Sequence, residues 1–258
     1  MTLHREKLVG NSVSLKMLFV RCVLCSLVEI MVLPVTILQY IGFWDPLYKR
    51  FFPYLMCRLA AAINDKMAKV KKELFGRLPD FASSSGLTVL EVGCGTGANF
   101  QYYPWGCKVV CTDPNPNFEH ILKSSGAKSA HIKLERFVVA CGENLSQVPS
   151  DSVDAVVCTF VLCTAQNVDA VLKEIKRVLR PGGALFFIEH VAADKETWLH
   201  FIQHVIQPAW RYFGDGCYLT RNTSVNLEKA NFSELNLKHI IAPVMSLVKY
   251  HILGYAVK

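Results

Sequence analysis

Three glycines at alternate positions follow a short apolar run in the stretch Leu90 to Phe100, which reads LEVGCGTGANF. Glycine allows backbone dihedral angles that other residues avoid, and it lets a ligand approach main-chain atoms closely. A simple turn needs fewer glycines. The pattern therefore indicates a strand, a ligand-binding loop and the start of a helix, whose free N–H groups favour a polar or anionic ligand. We expect this loop to bind a nucleoside-bearing cofactor.

Apolar, strand-like runs alternate with helical stretches from about residue 64 onward. This alternation predicts a mostly parallel β-sheet that is covered by helices on both faces. The helical stretch NDKMAKVKKELFGRL places Met67, Leu74 and Leu78 on one face, so its lysines are expected on the opposite, solvent face. The predicted strands lie at 87–92, 108–112, 135–140, 153–160 and 184–191, and the segments FSELNLKHI and HILGYAVK supply the last two.

The glycine loop alone is compatible with two kinds of cofactor. Gly93, Gly95 and Ala98 also satisfy the G-x-G-x-x-G/A pattern of dinucleotide-binding proteins. Two carboxylates favour a different nucleoside cofactor. Glu91 stands two residues before the first glycine, and Asp113 ends the predicted second strand, 18 residues after Gly95. At that place a carboxylate can accept hydrogen bonds from both ribose hydroxyls.

Two further motifs complete this pattern. GENL at 142–145 follows the predicted third strand, where an adenine edge would lie, and VLRPGG at 178–183 forms the turn that enters the fifth strand. Together with the E-x-G-x-G-x-G loop, these motifs resemble the class I methyltransferases that use S-adenosylmethionine. The resemblance extends from about Leu87 to Val191. It implies an α/β fold with a mostly parallel, seven-stranded Rossmann-like sheet that ends in an antiparallel hairpin.

The resemblance also implies a cofactor site. In that class, the residue at the Glu91 position orients the glycine loop, the residue at the Asp113 position binds the ribose, and the segment at 141–143 contacts adenine. The expected S-adenosylmethionine-binding residues are Glu91, Gly93, Cys94, Gly95, Gly97, Asp113, Pro114, Asn115, Gly142, Glu143 and Thr159.

A closer resemblance includes features that are not general to this fold, namely the motifs EHVAA and DGCYLTR and the N-terminal apolar anchor. GCGTGANF, DPNPNFE, ERFVVA, VVCTFVLC, EHVAA and DGCYLTR together are similar to the membrane-anchored thiol methyltransferase family, also called the methyltransferase-like seven group. It implies an enzyme of the endoplasmic reticulum membrane and lipid droplets, with its catalytic domain facing the cytosol, that methylates small lipophilic thiols. The chain departs from the family pattern at its start, where 16 largely polar residues precede the apolar run. The mode of anchoring is therefore left open.

Residues 17–44 form an apolar run that is long enough to span a bilayer by the criterion of about 20 residues. Arg21 and Glu29 interrupt the run, and Pro34 is expected to kink a helix, so an interfacial anchor is an alternative to a span. Aromatic and basic side chains interleave in the following segment, GFWDPLYKRFFPYLMCRL, which suits a lipid headgroup layer. A cleaved signal peptide and an aromatic-rich core helix are the rival interpretations.

The net charge limits the kinds of partner that are expected, and the cysteine content indicates the cellular compartment. The formal net charge is +7, but the basic residues form no block of five or six, so we expect a membrane surface and no nucleic acid as the partner. The spacings of the ten cysteines make neither a zinc pair nor a disulfide ladder; Cys22 and Cys25 form a C-x-x-C, but within an apolar segment that offers no second ligand pair. This indicates reduced thiols in a cytosol-facing protein. We expect two parts: a membrane-anchoring and interfacial segment at 1–63 and a methyltransferase domain at 64–258.

The expected catalytic residues lie where the fourth and fifth predicted strands end. Cys163 follows the fourth strand, and Glu189 and His190 end the fifth. Imidazole exchanges protons near neutral pH, so His190 is a candidate general base; a hydrogen bond to a neighbouring loop is the alternative. Cys163 is either catalytic or a small side chain of the pocket wall. The sequence contains no carboxylate and histidine cluster at metal-ligand spacing, so we expect no metal.

The segment WLHFIQHVIQPAWRYFGDGCYLTR is expected to cover the acceptor. Its apolar stripe, which includes Trp198, Phe201 and Tyr212, indicates either core packing or a lid. Asp215 and Arg221 flank the glycine turn and are expected to hold such a lid closed.

Two rival functions are compatible with the same cofactor loop. The first is an O- or N-methyltransferase of a lipid or quinone. The second is a non-catalytic lipid-droplet or membrane-associated protein that retains the fold. The complete set of loop glycines and carboxylates favours an enzyme over the second rival.

Overall fold

A computed structural model describes the backbone from Thr2 to Lys258 and the side chains from Met17 onward. Met1 and the side chains of residues 2–16 lie outside the described part, and so does the beginning of the expected segment 1–63.

A seven-stranded sheet forms the centre of the fold. Its strand order is β3-β2-β1-β4-β5-β7-β6, and all neighbouring strands are parallel except β7, which runs antiparallel to β5 and β6. This topology confirms the predicted fold class. The strands are β1 Thr88–Val92, β2 Lys108–Asp113, β3 Lys133–Val139, β4 Val153–Thr159, β5 Leu179–His190, β6 Glu234–Ile241 and β7 Tyr250–Val257.

Helices cover both faces of the sheet, as the alternation of apolar runs predicts. One core cluster joins the sheet to the apolar faces of α4 and α6, and the other joins it to α2 and α3. Because both faces are covered, β1 and β4 are buried almost along their whole length. The helices are α1 Thr2–Tyr40, α2 Trp44–Phe75, α3 Glu119–Lys128, α4 Val168–Val178, α5 Trp198–Phe213 and α6 Thr223–Lys229.

The glycine loop leads into a different element from the one predicted. A short 3-10 helix, Phe100–Tyr102, follows the loop, and no α-helix begins there. Pro104 disfavours helical dihedral angles at Tyr103, whose φ and ψ are −78° and 149°, so the chain becomes extended at once. The prediction of an α-helix at this place is therefore wrong, and the ligand-facing N–H groups belong to the loop itself.

The start of β5 differs from the sequence-based expectation. The RPGG motif lies within β5, where the pairing with β4 jumps from Leu179 to Ala184. The expected boundary between residues 63 and 64 falls inside α2, which continues without a break from Trp44. The aromatic and basic segment and the amphipathic helix are therefore one element.

The apolar part of α1 packs on one side only. The Tyr212 hydroxyl of α5 donates a hydrogen bond of 3.0 Å to Thr36 Oγ1. Side chains elsewhere on the helix are open, with exposures of 70% for Phe19, 79% for Met31 and 90% for Tyr40. Within the described residues, Met17–Tyr40 is the one helix that is long and apolar enough to cross a membrane. This helix is weak evidence for a membrane anchor.

Candidate cofactor and acceptor site

The glycine loop requires its glycines because of both backbone conformation and space. Gly93, Gly95 and Gly97 all have positive φ, at 61°, 49° and 72°. A Cβ on Gly93 would lie 2.4 Å from Val161 Cγ2, and one on Gly97 would lie 2.7 Å from the Phe100 ring. At Gly95 the nearest atom would be the Phe118 ring at 3.8 Å, so that side of the loop is open to a ligand.

Asp113 lies directly beside the open part of the loop. Its two carboxylate oxygens accept backbone N–H groups from Gly95 at 3.0 Å and from Asn115 at 2.9 Å. Burial raises the pKa of Asp113 to about 6, although both amide hydrogen bonds oppose the shift. Each oxygen keeps a further lone pair, so the carboxylate can accept hydrogen bonds from a bound ribose.

Glu91 is buried beneath the loop and holds it in place. Its carboxylate accepts hydrogen bonds of 2.8 Å from Asn99 Nδ2 and from the Tyr103 hydroxyl. The same Asn99 amide group donates to Thr159 Oγ1 at 2.9 Å. Burial raises the pKa of Glu91 to about 7. This network joins the end of β1, the loop and the end of β4. Through their shared partner Asn99, the two expected cofactor-site residues Glu91 and Thr159 lie next to each other.

Lys71 belongs to this network, and the sequence analysis missed it. The expectation that the lysines of α2 face solvent is wrong for this residue, whose exposure is 3%. Its Nζ donates hydrogen bonds to Asn64 Oδ1 and, at 2.8 Å, to Asn99 Oδ1. Burial lowers the pKa of Lys71 to about 8. The sequence signal for the burial of Lys71 is its place among the apolar positions of a helix. Its partner Asn99, however, lies 28 residues away in the chain.

Several expected cofactor residues act in the structure through packing or backbone contacts. Asn115 Nδ2 donates to the Lys49 carbonyl at 2.8 Å and so attaches α2 to the loop after β2. The Cys94 side chain packs in the core on the α2 side of the sheet. The Glu143 carboxylate accepts the N–H groups of Gln166 and Asn167, just before α4.

Gly142 lies where the resemblance places adenine. A Cβ on Gly142 would meet Val171 at 3.2 Å and Val92 at 3.3 Å, so glycine permits close packing there. An open depression of about 300 Å³ lies next to this position, and Pro114, Cys141 and Asn144 contribute to its wall. The loops that follow β2 and β3 thus face one shared opening.

Glu189 is fully buried and orders the turn that follows β4. Its carboxylate accepts the backbone N–H groups of Val161, Leu162 and Cys163 at 2.9, 3.0 and 3.2 Å. Burial raises the pKa of Glu189 to about 7 against these hydrogen bonds. With three backbone donors on its two oxygens, this side chain is suited to positioning the turn.

His190, the last residue of β5, faces sulfur atoms. Its Nε2 lies 2.8 Å from Cys217 Sγ, and its Nδ1 is buried without a hydrogen-bond partner among the residues that the structure describes. Three potential ligating atoms lie within 4.8 Å of one another, one each from Cys163, His190 and Cys217. The hydrogen bond from His190 to a neighbouring loop, which was the alternative to a catalytic role, is therefore present. Cys217 was not among the predicted site residues.

The loop from 214 to 221 contacts both halves of the site. Arg221 donates to the Leu162 carbonyl at 2.7 Å and to the Ala165 carbonyl, which fixes the loop to the turn after β4. Asp215 has a φ of 50°, and its charge acts on Asp113. Burial raises the pKa of Asp215. Arg221, which was expected to help hold a lid closed, thus forms hydrogen bonds with the turn after β4.

The residues around the glycine loop fit an S-adenosyl nucleoside. A buried carboxylate with free lone pairs lies beside an open glycine, and the two following loops leave room for a base. The strand ends that carry these groups adjoin in the sheet, because β1 lies between β2 and β4.

Comparisons with known proteins agree with the observed fold and show the family. Residues 90–187 match the family model described as a methyltransferase domain. The chain is 54% identical over 223 residues to the human thiol S-methyltransferase TMT1A, covering 86% of this chain and 91% of the relative. It is 50% identical over 234 residues to the rat thiol S-methyltransferase TMT1B, covering 90% and 96%. A solved SAM-dependent methyltransferase from Aquifex aeolicus shares the fold, with a TM-score of 0.52 at 18% identity, covering 80% of this chain and 97% of that chain.

The strand order and the carboxylate-flanked glycine loop define a class I, S-adenosylmethionine-dependent methyltransferase. Within that class, the chain belongs to the thiol S-methyltransferase family of TMT1A and TMT1B. Both resemblances seen in the sequence are confirmed.

Proposed function

We propose that this protein transfers the methyl group of S-adenosylmethionine to the sulfur of small lipophilic thiols. The supporting observation is the match to relatives named thiol S-methyltransferase, which extends over 86% of this chain at 54% identity. The glycine loop and Asp113 would hold the cofactor. The other expected binding residues around it are Glu91, Cys94, Pro114, Asn115, Gly142, Glu143 and Thr159. Bound S-adenosylmethionine supplies an activated methyl group, so we propose that no metal is needed.

The protein's own task is to remove a proton and exclude water. A thiol reacts as its thiolate, and free thiols ionise with a pKa of about 8.5, so a base speeds the reaction at neutral pH. We assign this role to His190, whose Nδ1 is free to accept a proton. Glu189 holds the turn that carries Cys163, and Cys163 contributes to the wall of the acceptor site.

A panel of acceptors tests this function. Purified protein with labelled cofactor is expected to methylate alkyl thiols, and His190→Ala is expected to lower that turnover about 100-fold, within the range for a lost general base. Methylation of phenols or amines in place of thiols would favour the O- or N-methyltransferase of a lipid or quinone. Calorimetry that detects no binding of S-adenosylmethionine would favour the non-catalytic rival. Unchanged turnover of His190→Ala at every pH would exclude His190 as the base.

Membrane attachment is the second part of the proposal. The exposed apolar side chains of α1 and the aromatic and basic first half of α2 support a division into an anchoring segment at 1–63 and a catalytic domain at 64–258. We place the enzyme at the endoplasmic reticulum membrane and lipid droplets, with the domain facing the cytosol. Membrane and thiol are the proposed partners, and nucleic acid is not.

Vesicle flotation tests the anchor. The full chain is expected to float with phospholipid vesicles, and the double substitution Ile30→Asp and Met31→Asp is expected to abolish flotation, because a charge inside a bilayer costs about 3 kcal/mol. Both positions are exposed, at 66% and 79%. Trp105→Asp, at a position that is 85% exposed in the catalytic domain, is the matched control and is expected to float. Flotation of the double variant would contradict anchoring by α1.

A further inference from the structure

A sulfur and imidazole cluster lies at the carboxyl edge of β4 and β5. We call it the Cys163–His190–Cys217 cluster; its three residues come from the turn after β4, the end of β5 and the loop 214–221. Their exposures are 1%, 3% and 7%. The Tyr218 N–H donates to the Cys163 carbonyl at 2.9 Å, which joins the backbones of two of these segments. The cluster is therefore fixed by the fold.

The two nitrogens of His190 differ in their surroundings. Nε2 contacts Cys217 Sγ at 2.8 Å, whereas Nδ1 has no partner among the described residues. If Nε2 carries the proton, it donates to a sulfur anion and Nδ1 keeps a bare lone pair. In catalytic triads, an anion that accepts a hydrogen bond from one ring nitrogen fixes the tautomer of the histidine in this way. The other ring nitrogen then acts as the base.

The charges around His190 agree with that tautomer. The hydrogen bond from the Cys163 thiol, followed by that from His190, lowers the pKa of Cys217 to about 5, although burial opposes the shift. The same thiol contact and burial raise the pKa of Cys163 well above its usual range. His251 pairs with His190 across β5 and β7, and burial lowers its pKa to about 4, so it is neutral at pH 7. Glu189, whose pKa burial raises to about 7, also acts on the cluster, because its charge raises the pKa of Cys163.

We propose that Cys217 is the positioning residue for His190: its thiolate accepts a hydrogen bond from Nε2–H, directs the bare Nδ1 to the acceptor, and stabilises the imidazolium. In this step the S–H bond of the acceptor thiol breaks, an N–H bond forms at Nδ1, and the electron pair stays on the acceptor sulfur as the nucleophile. The inference rests on the proposed thiol methylation and adds to it a residue that does not contact the substrate.

A bound metal is the competing use of the same three side chains. Their ligating atoms are close enough for a tetrahedral ion, but a metal-bound histidine normally donates its second N–H to a protein partner. His190 Nδ1 has no such partner in the described structure. The free nitrogen therefore favours the proton-accepting role.

Acceptors of different acidity test the proposal. Cys217→Ala is expected to lower kcat about 100-fold with an alkyl thiol, which is protonated at pH 7, because the base loses its orientation. With an aryl thiol, which is already largely ionised, the loss is expected to be only about threefold, because no base is needed. Cys217→Asp should restore part of the alkyl-thiol activity by returning an anion to Nε2. Cys107→Ala, at a buried cysteine in the core away from the cluster, is the matched control and should keep full activity.

A titration of the ligand-free protein provides a readout that does not depend on activity. A thiolate absorbance step well below the usual range of a thiol is expected in the wild type and in Cys107→Ala, and it is expected to be lost in Cys217→Ala. Equal losses with both acceptors, the absence of this absorbance step, or about one equivalent of zinc in the purified protein would overturn the proposal. Wild-type protein that binds cofactor but methylates no thiol would contradict the proposed function, while the titration still tests the thiolate.

Discussion

Gly93→Ala is expected to abolish cofactor binding at ordinary cofactor concentrations and to lower the free energy of unfolding by about 3 kcal/mol, the combined cost of a left-handed alanine and an overpacked contact. The added Cβ would lie 2.4 Å from Val161 Cγ2. Val161 cannot move away freely, because its N–H is bound to Glu189 and its neighbour Phe160 already has a φ of 59°. The loop must therefore shift, and Asp113 then loses its contact with Gly95.

A matched substitution separates the free-energy cost of a left-handed alanine from the cost of the overpacked contact with Val161. Gly106 also has a positive φ, 75°, but a Cβ there would meet nothing within 4 Å. Gly106→Ala is expected to cost only about 1 kcal/mol and to leave the dissociation constant of S-adenosylmethionine unchanged. Urea unfolding and calorimetry measure both quantities. Wild-type affinity in Gly93→Ala would show that the loop does not form the cofactor site.

The sequence was sufficient for the sheet, and it indicated the glycine loop as the place where a cofactor is expected to bind. Strand ends agree within about one residue for β1, β2 and β4, because buried parallel strands have continuous apolar runs that stop at polar turns. The glycines and Asp113 were found because a ligand-binding loop needs residue types at fixed local spacing. These are local signals, and a single sequence contains them.

Contacts between distant segments were not predictable in this way. Lys71 was assigned to solvent, since the partner that makes its burial possible, Asn99, is part of another element. Cys217 stood within a recognised motif, but its role depends on His190, which is 27 residues away in the chain and 2.8 Å away in space. Glu143 was expected near adenine, and the structure shows its carboxylate accepting the N–H of Gln166. In each case the fold decides the partner.

Cofactor affinity is expected to fall as the pH drops below about 6, because burial raises the pKa of Asp113 to about 6 and a protonated carboxyl is a poorer acceptor for ribose hydroxyls. Well below that pH the affinity should fall by up to about tenfold per pH unit. The stability effect has the opposite sign. A carboxyl whose pKa is raised on folding stabilises the ligand-free protein below its unfolded pKa of 3.8, and this contribution is lost as the pH rises through about 6.

Asp113→Asn tests this pH dependence. The change is expected to weaken binding at pH 7.5 by about 1–3 kcal/mol through lost hydrogen bonds to the ribose, and to remove the inflection near pH 6. Asp151→Asn is the control, because that carboxylate precedes β4 at the opposite edge of the sheet and is bound to Lys258. Calorimetric titrations between pH 5 and 8 measure both curves. Glu91 and Glu189, whose pKa burial raises to about 7, are present in both variants. An inflection near pH 6 that survives in Asp113→Asn would therefore assign the proton to another group.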